Sequence, residues 1–160
     1  MKNQLLIILF LAMSSLASQN ILIICNKKLN LDNLSINQVK DIFKGDQHQI
    51  NGRNIDLSYL SDEPYTEFFT AIFGRRMTSS KIARYWLKKS FRAYRRPKIF
   101  KTCGDLLDFL NSDSNSISYI EEKVFDTLKD RFENITTVKI NQKESSDLGY
   151  FFAFKKAKAD

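Results

Sequence analysis

Histidine and cysteine are scarce in these 160 residues: His48 stands alone, and the only cysteines are Cys25 and Cys103. Without a second imidazole or a close Cys/His spacing there is no zinc set. With one histidine, no Ser/His/Asp or Cys/His arrangement is supported by spacing, so the sequence leaves nothing to assign as general base or nucleophile. The acidic pair Asp62-Glu63 reads as a cap and dipole complement at a helix start. The chain is expected to be non-enzymatic, with no metal and no cofactor. Two prolines and five glycines leave no Pro/Gly-rich linker, and no internal repeat is present, which fits a single domain. Acid is missing from a long central stretch. Between Phe68 and Gly104 there are eleven Lys or Arg residues and no Asp or Glu.

One apolar run opens the chain. After Met1-Lys2 comes an apolar core from Leu5 to Met13, then Ser15-Leu16-Ala17 with small residues at the two positions that determine cleavage. This is the pattern of a secretory signal peptide over residues 1–17. The core is too short to span a bilayer comfortably, which sets cleavage above the alternative of a retained anchor. Residues 18–160 then form one basic domain, with the formal charge going from +7 to +6, and the expected location is periplasmic or secreted. In such an oxidising compartment Cys25 and Cys103 can form a disulfide or stay as two buried thiols.

Local signals outline an α/β chain. Ile21 to Cys25 is a continuous apolar run suited to a strand buried on both faces. Ser35 with Gln38 makes a capping box, Leu34 and Val39 form a hydrophobic staple, and Gly45 supplies the stop, so a helix is bounded at both ends. Asn51-Gly52 marks a turn before a strand over Asn54 to Leu60. Tyr65, Phe68, Phe69, Ile72 and Phe73 fall on one helical face ending at Gly74, and this spacing reads as core rather than a ligand box. Thr78 caps a helix that places Ile82, Trp86 and Ser90 on one side and Lys81, Arg84, Lys88 and Arg92 on another. Pro97 to Lys101 reads as a strand, Thr102 with Asp105 caps the next helix, and Asn115 to Ile120 is another strand. A short helix within Val124 to Phe132, a strand at Thr136 to Ile140, a last strand near Phe152 and a basic tail complete the chain.

The segment from Leu34 to Gly45, the Asn51-Gly52 turn, the phenylalanine-rich helix, and the block Tyr85-Trp86 through Phe91 to Pro97 keep the order of a known pattern. Over Asn30 to Glu121 the chain resembles small periplasmic proteins related to the phosphate-binding components of ABC transporters. The resemblance implies an α/β fold: a single three-layer lobe of periplasmic-binding-protein type, with a central mixed sheet flanked by helices. It also implies an anion site at the start of the helix after the second strand, where relatives carry "G-S-G-T". Here that stretch reads Asp62-Glu63-Pro64-Tyr65-Thr66, which retains only the threonine. Glu63 adds negative charge, Pro64 removes a donor and Tyr65 adds bulk.

Two readings of function stay open. In the first, the chain is an extracytoplasmic solute-binding-like domain for phosphate or another small anion, with Ser61, Thr66, Arg95 and Arg96 as ligand-binding candidates. In the second, the lobe is a scaffold that docks an acidic protein or a membrane surface through Lys81, Arg84, Lys88 and Arg92. Aromatics interleaved with these cations would also suit nucleic acid, but export argues against it as a routine partner. N-terminal sequencing of the exported protein is expected to begin near Ser18. Recovery of intact Met1 from the soluble cytoplasmic fraction would contradict the signal-peptide reading.

Overall fold

A computed structural model describes residues 18–61, 65–92 and 94–155. The signal segment 1–17, the tail beyond Lys155, the triplet Asp62-Glu63-Pro64 and Ala93 lie outside the described residues. The chain opens with β1 (Ser18–Asn26), then β2 (Asn33–Leu34) and α1 (Ile36–Phe43). The capping box at α1 is complete: Ser35 Oγ accepts from the Gln38 amide at 3.2 Å and Gln38 Oε1 from the Ser35 amide at 2.9 Å. A small hairpin of β3 (Gln49–Ile50) and β4 (Arg53–Asn54) turns at Asn51-Gly52, whose φ values of 51° and 75° are the left-handed pair that a tight hairpin turn requires. The single strand expected from Asn54 to Leu60 is therefore two pieces. Arg53-Asn54 belongs to the hairpin, and β5 (Asp56–Leu60) joins the main sheet.

The remaining elements follow the capping residues. They are α2 (Tyr65–Phe73), α3 (Ser79–Ser90) capped by Thr78, β6 (Lys98–Phe100), α4 (Cys103–Ser112) capped by Thr102, and β7 (Ser116–Glu121). Next come α5 (Glu122–Leu128) with a 3₁₀ turn, β8 (Ile135–Ile140) and β9 (Ala153–Lys155). The main sheet runs β2-β8-β1-β7-β5-β6, with β9 against the first residues of β1. It is mixed: β1 is antiparallel to β7, β8 and β9, whereas β5 is parallel to β6 and β7.

Two hydrophobic clusters cover the two faces. Ile21, Ile23 and Cys25 point into one, with Phe43 of α1, Phe68 and Phe69 of α2 and Trp86 of α3. Leu22 and Ile24 point into the other, with Leu106, Leu107 and Leu110 of α4 and Phe125 of α5. Successive side chains of β1 thus alternate between two helical layers, which is why the run has no polar position. The α2 aromatics are core: Phe68 stacks on Tyr119 of β7 at 4.0 Å between ring centroids, and the Tyr119 hydroxyl donates to the Leu60 carbonyl at 3.2 Å.

The cysteines divide between these layers. Cys25 is wholly buried in the first cluster and Cys103 packs against the second, so no disulfide joins them. The sheet itself stands between the two thiols, and Cys103 is only half-buried. Burial pushes the Cys25 thiol from its ordinary 9.0 up to about 12.

Gly45 closes α1 in the left-handed region at φ 69°, and it also makes room for α3. A Cβ there would meet Trp86 Cζ3 at 2.9 Å and Cη2 at 3.0 Å. Trp86 itself is 5% exposed. Trp86→Ala is expected to cost about 3–5 kcal/mol as a large aromatic truncation. Gly45→Ala should cost about 1–3 kcal/mol from overpacking and the positive φ. Urea unfolding of both variants checks this, and unchanged midpoints would mean that α3 does not pack here.

The Cys25 shift sets a pH window. Its folded value is raised, so its contribution to stability is full below pH 9, where the unfolded thiol is also protonated, and is lost as pH rises toward about 12. The urea midpoint is expected to fall above pH 9, less steeply in Cys25→Ala. Equal slopes would assign the decline to the buried tyrosines Tyr59 and Tyr150, which burial also shifts upward.

Candidate functional site

Within the acid-free stretch, the last turns of α3 lead through an irregular segment to β6. This part forms one flank of a cleft of about 770 Å³. Arg92, Arg95, Arg96 and Lys98 line it, with Asp56 as the single acid among the described residues and His48 from just before the hairpin. Its floor is apolar: Ile42 from α1, Ile55 and Leu57 around the start of β5, and Trp86 of α3. Arg95 reaches Asp56 at 2.8 Å while its side chain stays 83% exposed. Arg96 donates to Ser90 Oγ at 2.8 Å. Lys98 lies 4.0 Å from Asp113 and 4.0 Å over the Phe109 ring.

A polar clasp holds the rim. Lys89 Nζ meets Asp46 Oδ1 at 2.6 Å and lies 4.6 Å over the Tyr94 ring, and the Tyr85 hydroxyl donates to the Lys44 carbonyl at 2.7 Å. Partial burial works against the Lys89 charge, but hydrogen bonds to Asp46 and Tyr85 outweigh it and hold the ammonium above the ordinary lysine range. These contacts tie α3 to the loop after α1 and so set the width of the cleft. Among the described residues no group of three or more His, Cys, Asp and Glu side chains is arranged to hold a metal ion.

The four ligand-binding candidates do not come together. Ser61 and Thr66 follow the C-terminal end of β5, whereas Arg95 and Arg96 flank its start, about 13 Å away along the strand. At the C-terminal end the Ser61 hydroxyl donates to the Phe100 carbonyl at 3.5 Å, and the Thr66 hydroxyl donates to Glu67 at 3.1 Å. Glu67 in the first turn of α2 adds a further negative charge where an anion would bind. Of the basic-surface candidates, Lys81, Arg84 and Lys88 line a shallow hollow of about 270 Å³ and Arg92 turns into the cleft. A roomier hollow of about 1000 Å³ beside α5 and β8 carries Asp32, Glu122, Asp126 and Asp130 among its walls, a lining that repels anions.

His48, Asp56 and Tyr94 are absent from the sequence-derived candidates. Only the hairpin and the segment after α3 bring them to one place, and no spacing in the chain signals it.

No family model matches the chain, and no curated protein matches it. Solved structures do. A chain from Clostridium perfringens, described as a phosphate ABC transporter substrate-binding protein with bound phosphate, is similar over 81% of this chain and 48% of its own, at 20% identity and a TM-score of 0.59. PstS from Borrelia burgdorferi is similar over 79% of this chain and 49% of its own, at 13% identity and a TM-score of 0.60. An ABC-type phosphate transport receptor from Vibrio cholerae gives 82%, 50%, 12% and 0.54 for the same quantities. The class is thereby defined by fold: a small α/β domain of periplasmic-binding-protein type, with a central mixed sheet between helical layers. This chain spans about half the length of each of these proteins. No helix among the described residues is long and apolar enough to cross a membrane.

Proposed function

We propose that the chain is a non-enzymatic, extracytoplasmic domain of solute-binding type that holds anions through the arginine-lined cleft and not through the start of α2. The observation that carries this reading is the charge of the cleft: among the described residues, four cations against Asp56 alone. The similar structures from Clostridium perfringens and Vibrio cholerae are described as phosphate-binding or phosphate-transporting, which supports an anion as ligand. The residues at the α2 start argue against the usual seat, since Glu63 and Glu67 bring charge of the wrong sign and Pro64 has no N–H to give. The N-terminal sequence supports export.

A second reading, docking on an acidic protein or an anionic membrane surface, draws on Leu87 and Phe91. They are 45% and 81% exposed beside Arg84 and Lys88 on the basic helix, and such apolar side chains on a cationic face suit an interface.

Phosphate titration separates the readings. Isothermal titration is expected to give a dissociation constant no better than about 1 mM, near −4 kcal/mol, and to weaken as salt rises. Arg95→Ala/Arg96→Ala should abolish the signal and Thr66→Ala should leave it unchanged. A micromolar, salt-insensitive constant that is lost in Thr66→Ala would return the site to α2.

A further inference from the structure

The cleft is much larger than a phosphate ion and has two kinds of wall. At about 770 Å³ it falls within the roughly 300–1,000 Å³ range of sites for small organic molecules. Its floor is Ile42, Ile55, Leu57 and the Trp86 edge, surfaces that give an inorganic anion nothing to bind. Tyr94, 39% exposed, adds an aromatic ring at the same opening. Among the described residues neither Arg92 nor Arg96 is held in an ion pair, so both charges remain available. Trp86 contributes one more feature: its indole Nε1 is buried and has no acceptor among the described residues.

We infer that the cleft takes an aromatic organic anion, a flat ring bearing a phosphate group, with Arg92 and Arg96 on the charged group and Tyr94 with the apolar floor on the ring. This rests on the anion-binding reading above and adds the ring to it. The two walls explain why charge and apolar surface occur together here: each supplies one half of an amphipathic ligand. Planar guanidinium groups suit phosphate oxygens in pairs. An aromatic ring laid on Tyr94 is favourable without any hydrogen bond. The site opens near the start of β5, so it does not need the residues that precede α2.

Trp86 is the only tryptophan in the sequence, and its emission therefore reports on the cleft alone. The full mature chain is titrated with phenyl phosphate, inorganic phosphate and phenol, exciting beyond the absorption of the ligands, with calorimetry in parallel so that binding without an optical signal is still seen. Phenyl phosphate is expected to bind about tenfold more tightly than inorganic phosphate and to alter Trp86 emission, and phenol to do neither. Tyr94→Ala should return the aryl affinity to that of phosphate, and Arg92→Ala/Arg96→Ala should abolish binding of both, with circular dichroism unchanged. Equal affinity for phenyl phosphate and phosphate, both lost in the arginine variant, would overturn ring recognition and leave anion binding standing. Silence toward both anions would overturn both readings. Aryl binding that survives the arginine substitutions would move the site elsewhere and overturn this assignment.

Discussion

Ile21, Leu22, Ile23, Ile24 and Cys25 are consecutive apolar positions, and a strand that is apolar on both sides is stable only beneath two covering layers. Each buried aliphatic side chain of this kind contributes about 1.5–3 kcal/mol, so leaving either face open would forfeit much of what holds a domain of this size together. The rest of the architecture answers that demand. Helices α1, α2 and α3 cover one face, α4 and α5 the other, and β7 and β8 flank β1 so that its backbone groups are paired on both edges.

The cleft is a by-product of the same packing. α3 approaches α1 closely enough for the Trp86 ring to lie on Gly45, a contact that a side chain at that position would obstruct. Lys89 then bridges to Asp46 and fixes the gap between the two helices. Once α3 is held by its buried side, its cationic side and the segment after it must face solvent. No acid in that stretch can neutralise them; Asp56, Asp46 and Asp113 come from other parts of the chain. The potential over this region is therefore positive, while the hollow beside α5 is predominantly acidic.

Much of the fold was legible because its signals are local. The capping box at Ser35 and Gln38, the caps at Thr78 and Thr102, and the stops at Gly45 and Gly74 each act within a few residues. Periodicity identified the α2 aromatics as core, and Phe68 and Phe69 are fully buried. Where expectation and structure differ, the cause lies in pairing. Arg53-Asn54 reads like the start of β5, yet it pairs with Gln49-Ile50 because the Asn51-Gly52 turn folds it back first. The two-residue β2 was not foreseen, since parallel pairing with β8 depends on residues about a hundred positions away.

The candidate site was legible only in part. The run of cations from Arg75 to Lys101 is visible in the residues themselves, because charge is a property of composition. Local hydrogen bonding and hydrophobic spacing likewise determined the helix ends and their buried faces. The tertiary structure alone decided that Ser61 and Thr66 lie at one end of β5 and Arg95 and Arg96 at the other, that Cys25 and Cys103 are divided by the sheet, and that His48, Asp56 and Tyr94 meet the arginines across one cleft. Those relations are distances between segments far apart in the chain. They arise from which strands pair and which helices cover them, and no short-range rule carries that information.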